Sequence, residues 1–211
     1  MARATSPRRS LLTRVSLGLS LLLASACTSP PGTSYEPSIR GSFAVIEGFE
    51  AEVSDGVGSV SGDSDYSSLE LAIGAVQVEE DGRKIGRAEL IFGSAEFGNL
   101  DAFELSGGGR FFVGGGEDLS PFLSIYTVST ILESIRFDPG GGVISLNPGV
   151  QLGLRLGGGV EYQLNETVFV DLGADYTLPL IAAEADVNGF GTPIETEVYG
   201  FAIRMSIGIT F

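Results

Sequence analysis

From Gly41 to Phe211 apolar and non-apolar residues alternate with a period of two, and hardly any stretch carries the i, i+3, i+4 spacing of an amphipathic helix. The body of the chain is therefore predicted to be all-β. In the clearest run Val150, Leu152, Leu154, Leu156, Val160, Tyr162 and Leu164 share one face, against Gln151, Gly153, Arg155, Gly157, Gly159, Glu161 and Gln163. A second run sets Val168, Val170, Leu172, Ala174, Tyr176, Leu178 and Leu180 against Asp171, Gly173, Asp175 and Thr177. The last sets Tyr199, Phe201, Ile203, Met205, Ile207, Ile209 and Phe211 against Gly200, Ala202, Arg204, Ser206, Gly208 and Thr210. Weaker alternation near residues 41–54, 66–79, 84–95, 102–114 and 121–137 brings the expected total to eight strands. The second and fifth of these weaker segments are ambiguous in phase. Val76 and Val78 fall off the Leu69, Leu71, Ile73 face, which suggests a bulge.

Connections alternate in length. Asp55 to Asp65, Asp138 to Asn147 and Ile181 to Glu195 read as long loops, residues 80–83 and 165–166 as tight turns, and 114–119 as slightly longer. Apart from a short link around Gly98 to Asp101, this is the order of an up-and-down barrel with its long loops at one end. Alternation alone does not say which face is outside, because a lipocalin-like barrel has the same period with the faces reversed. The non-apolar face favours the inside-out arrangement: it is Gly, Ala, Ser and Thr with isolated charges, which suits a narrow filled lumen better than a solvated sheet. Strands of ~12 residues, at ~3.3 Å rise and ~40° tilt, cover about 30 Å, enough for an outer-membrane apolar band. Tyr199 and Phe201 at one end of the last strand, with Phe211 and Tyr162 at the other, are placed as interfacial girdles would be. The expected fold is an eight-stranded antiparallel up-and-down transmembrane β-barrel.

Composition narrows the chemistry. The 211 residues include 31 glycines with no three-residue period, one cysteine and no histidine. Lack of histidine removes Ser-His-Asp and Cys-His catalysis and histidine metal sites, and a single cysteine removes disulfides and zinc clusters. Residues 1–26 carry Arg3, Arg8, Arg9 and Arg14, no acid, and the apolar run VSLGLSLLLASA, which reads as a secretory signal too short to span a bilayer. Its end admits two readings: cleavage after Ala24-Ser25-Ala26, or a lipobox LLLASAC with Cys27 lipidated. Residues 27–40, rich in Pro, Ser and Thr, are expected to be a flexible tether, and residues 41–211 the barrel. Without the signal the chain holds eight basic and 27 acidic residues, a net charge of −19, so nucleic acid is excluded as a partner.

GGGVEYQLNETVFVDLGADYTL, residues 157–178, resembles the penultimate hairpin of OmpA-type outer-membrane barrels, and GFAIRMSIGITF, residues 200–211, resembles the C-terminal signal read by the barrel-assembly machinery. Ile207, Gly208, Ile209 and Phe211 match that signal. The resemblance implies residence in a bacterial outer membrane with both termini periplasmic, contact with outer-membrane lipids and with the assembly machinery, and a non-enzymatic role in envelope structure, surface interaction or narrow permeation. The wall-anchoring role of full-length OmpA proteins is not implied, since no peptidoglycan-binding segment is present in the sequence.

If the apolar face meets lipid, the alternation puts Arg87, Arg110, Arg155 and Arg204 inside with Glu70, Glu89, Glu104, Glu161, Asp171 and Asp175. Charges in so confined a lumen need partners, and a salt-bridge plug is the expected outcome, with a gated ion path as the sharper alternative. Asp55, Asp63, Asp65, Glu184 and Asp186 offer oxygen ligands but no EF-hand spacing, so they are expected to be solvated loop acids. The glycine clusters at 107–109, 114–116, 140–142 and 157–159 lack the Lys-Ser/Thr of a phosphate loop and are expected in turns and strand coils. No catalytic residue, metal or cofactor is expected. Two rivals stand: a secreted lipoprotein with a lipocalin-like barrel holding an apolar ligand, and a small outer-membrane channel.

Overall fold

The computed structural model describes residues 32–54, 59–97, 100–114, 118–132, 136–137, 144–145, 149–185 and 194–211. The signal segment, Cys27, Asp55 and Asp186 lie outside them. The strands are β1 (Thr33–Ser54), β2 (Ser59–Glu79), β3 (Lys84–Phe97), β4 (Leu100–Phe112), β5 (Leu119–Leu132), the short β6 (Arg136–Phe137) and β7 (Ile144–Ser145), β8 (Val150–Gln163), β9 (Val168–Ile181), the short β10 (Ala183–Ala185) and β11 (Ile194–Thr210). Eight long strands pair antiparallel in the order β1-β2-β3-β4-β5-β8-β9-β11, and β11 pairs back onto β1. The sheet is a closed eight-stranded antiparallel barrel. Closure leaves the barrel no free edge, so each of the eight long strands has a neighbour on both sides.

One end of the barrel carries tight turns and both the start of β1 and the end of β11. In the β2–β3 turn Gly82 takes a positive φ of 83° and the Asp81 carboxylate accepts the Arg83 N–H. In the β8–β9 turn Asn165 Oδ1 accepts the N–H groups of Thr167 and Val168, both at 2.9 Å, which is why two strands can reverse there with so few residues. The opposite end holds the links β1–β2, β3–β4, β5–β8 and β9–β11, with β6 pairing β7 and β10 pairing β11.

Three differences from the sequence expectation have physical reasons. Residues 33–40 are strand, not tether: Ser38 is opposite Gly74 on one side and Thr210 on the other. In a barrel with a polar interior, Ser38 and Arg40 are inward residues, so a strand that is polar inside shows no apolar alternation to read. The expected first loop is also largely strand, because the β1–β2 ladder continues to Ser54↔Ser59 on backbone hydrogen bonds that need no apolar side chains. Val76 and Val78 stay in phase with Glu70 and Ala72, all inward; what changes along β2 is the polarity of the lumen, not the facing of the strand. The register shift lies next to them, where Gln77 pairs Gly86 but Val78 pairs Lys84. Of the glycine clusters, Gly107–Gly109 and Gly157–Gly159 take the expected place within strands, in β4 and β8, while residues 115–116 and 140–142 lie outside the described residues.

Those strand glycines make room for rings. A Cβ at Gly108 would run into Tyr126, one at Gly159 into Phe122, and one at Gly208 into Phe169. Each aromatic is the cross-strand partner of its glycine. Inward rings lying over neighbouring glycines fill a narrow barrel that could not hold two large side chains per rung.

Candidate functional site

The two faces of the wall decide what surrounds the barrel. Among the described residues, large apolar side chains are exposed on the outer face of all eight long strands, from Ile39 and Phe43 through Leu69, Phe92, Phe103, Leu123 and Leu156 to Leu172 and Ile207. Met205 is 65% exposed while its neighbours Arg204 and Ser206 are 6% and 4% exposed. Strands β3, β5, β8 and β9 have 14 residues each; at ~3.3 Å per residue and ~40° tilt they reach about 35 Å. Such an apolar belt is too large for water and suits a hydrocarbon layer. The lipocalin-like rival has the opposite facing and is overturned by this arrangement: the apolar residues it needs inside are outside.

The interior is ionic. All ten charged residues expected inside are buried there, and Arg40 joins them at 1% exposure. Lys84, partly buried, completes a set of six cations against six carboxylates. They form three groups along the lumen. Nearest the turn end, Glu161 takes Arg87 at 2.7 Å and Lys84 at 2.6 Å. In the middle, Glu89 bridges Arg40 at 2.9 Å and Arg110 at 3.2 Å, and Arg110 also holds Asp171 at 2.9 Å. Toward the loop end, Arg155 contacts Glu70 at 3.0 Å and Glu104 at 2.8 Å, while Arg204 contacts Glu70 at 2.6 Å and Asp175 at 2.9 Å.

Neutral groups complete the network. The Tyr126 hydroxyl donates to Glu89 at 2.5 Å and the Tyr66 hydroxyl to Glu104 at 3.1 Å. Arg40 donates to Ser42 and Ser206, and Ser206 to Asp171 at 2.9 Å. The Phe169 ring lies 4.0 Å from the Arg87 guanidinium and the Phe122 ring 4.4 Å from that of Arg110, so one cation of the turn-end group and one of the middle group rest on π faces. At the loop end Tyr66, Phe97, Ala102, Leu132, Ala183 and Val198 form an apolar layer across the lumen. Between the middle and loop-end groups, a cavity of about 20 Å³ is lined by Arg40, Arg110, Arg155, Arg204, Asp171 and Asp175 among others. That is room for about one water molecule.

Sequence reading missed Arg40, which it placed in the tether, and Lys84, which the bulge at Ile85 brings inward. It also missed the tyrosines. Tyr66 and Tyr126 each spend their hydroxyl on a buried carboxylate; their even positions, in phase with Glu70 and Thr130, were the available signal. Asp65 and Glu184 are exposed, and among the described residues no three Cys, Asp or Glu side chains gather as a metal-holding group.

No family model matches the sequence, and no curated protein matches it. Solved structures are similar in fold. Neisserial surface protein A is 16% identical, with 85% of this chain and 99% of that chain covered and a TM-score of 0.48. The outer membrane protein OprG from Pseudomonas aeruginosa is 13% identical, with 85% and 97% covered and a TM-score of 0.48. Ail, the attachment invasion locus protein of Yersinia pestis, solved with the heparin analogue sucrose octasulfate, is 10% identical, with 84% and 99% covered and a TM-score of 0.34.

Proposed function

We propose that this chain is a non-enzymatic outer-membrane barrel whose lumen is a structural plug, and that its work is done by what it displays at the loop end. The observation that carries the reading is a charge-balanced, hydrogen-bonded interior inside an apolar wall. Six cations and six carboxylates cancel, so the net charge of −19 carried by residues 27–211 resides outside this network. A lumen with room for about one water at its polar centre favours envelope structure or surface interaction over permeation. In this reading both chain ends face the periplasm, outer-membrane lipids cover the belt, and Ile207, Gly208, Ile209 and Phe211 serve as the signal for the assembly machinery. Ile207, Ile209 and Phe211 lie exposed on the outer face, which supports their being available to it.

Planar-bilayer recording of the purified barrel tests the plug. The proposal expects no resolved steps from the native protein, and steps after the loop-end group is cut down by Arg155→Ala and Glu104→Ala together. Steady unitary conductance of the native barrel would instead favour the channel.

A further inference from the structure

The wall between β9 and β11 is interrupted near the loop end. Their ladder runs from Ile209↔Val168 to Gly200↔Thr177 and stops. Two residues further it would set Pro179 opposite Val198, and proline has no N–H to give. β9 pairs Pro179 with Gly153 on its other side, passes a register shift before Leu152↔Ile181, and the chain meets β11 again only as β10, with Ala183↔Thr196, two residues out of step. Val198 is left opposite the break, and it is 2% exposed.

A side chain from the next strand fills the missing rung. Gln151 on β8, itself 1% exposed, donates from Nε2 to the Val198 carbonyl at 2.7 Å and accepts the Val198 N–H on Oε1 at 2.7 Å. Its carboxamide thus replaces both backbone hydrogen bonds that Pro179 and the offset of β10 withhold. We propose that Gln151 is a lock: a side-chain rung that holds the loop end of β11 against the wall and keeps the apolar layer of Ala183, Val198, Tyr66 and Leu132 closed over the lumen. Only a carboxamide of this length offers one donor and one acceptor in peptide-like order. Glu lacks the donor, Leu lacks both, and Asn is a methylene short.

Amide exchange on the full barrel tests the lock. In the native protein the Val198 amide should be as protected as those of Ile203 to Ile209. Gln151→Leu should speed exchange at Val198 and its neighbours by at least ~10-fold, the cost of one lost hydrogen bond, while residues 203–209 and the heat-modifiable gel band are unchanged. Gln151→Glu should do the same. In a Cys27→Ser background, Ala183→Cys should react with a water-soluble maleimide only when Gln151 is also replaced. Unchanged exchange in both Gln151 variants would overturn the proposal. Should neither variant assemble, the native barrel still decides: a fast-exchanging Val198 amide refutes the lock, and a protected one with a slowly exchanging Gln151 side-chain NH₂ supports it.

Discussion

Phe169 shows how single residues fill this barrel. Its ring lies over Gly208 on the next strand and beneath the Arg87 guanidinium, so a residue that reads as part of an assembly signal also has a packing duty in the finished protein. Gly208→Ala should cost about 1–3 kcal/mol in urea unfolding, the usual cost of overpacking, and much less when Phe169 is first cut to Ala. A signal-only role for Gly208 would give a folded barrel of native stability and a defect confined to assembly. Glu161 offers a second contrast. Glu161→Gln strands the buried Arg87 and the partly buried Lys84 and should cost about 3–5 kcal/mol in urea unfolding, whereas Glu79→Gln, whose partner Arg83 is exposed, should leave the unfolding midpoint essentially unchanged.

Among the elements, β1 most needs its own account. Its first eight residues pair with β2 on one side, and from Ser38 onward with β11 on the other, so they close the barrel. Deleting residues 33–40 should abolish the heat-modifiable band, while deleting residues 28–31 should leave it. Element-level reading succeeded where outward residues are bulky and inward ones polar or small, as in β8, β9 and β11. It missed residues 33–40 of β1 because Thr, Ser, Glu, Pro and Arg there offer no apolar contrast, although the segment pairs like the rest of the strand. In β2 the strand was legible but its phase was not: Val76 and Val78 are apolar and inward, so apolar character there marks the interior rather than the belt. The Gln151 rung had no sequence signal, since only the three-dimensional break between β9 and β11 creates the need for it.

At the scale of the whole molecule, alternation defined the barrel but not its facing, and the facing is what separates a membrane protein from a soluble carrier. Ten of the twelve lumen charges were legible because each falls on the non-apolar side of its strand; their partners were not, since the ion pairs join residues as far apart in sequence as Glu70 and Arg204. Each ion pair is a buried interaction whose net worth is small, but whose breaking is expensive, so the network specifies one closed arrangement more than it adds stability. The stabilising term is the belt, and it exists only in lipid or detergent.

Fractionation of the Cys27→Ser protein, with carbonate washing and boiled against unboiled gels, therefore tests the central claim most directly. A lipid on Cys27 can no longer hold the chain, so only the wall itself can. Retention in the outer-membrane pellet and a band that shifts on boiling are the expected result. Release as a soluble β protein with no heat-dependent shift would contradict it.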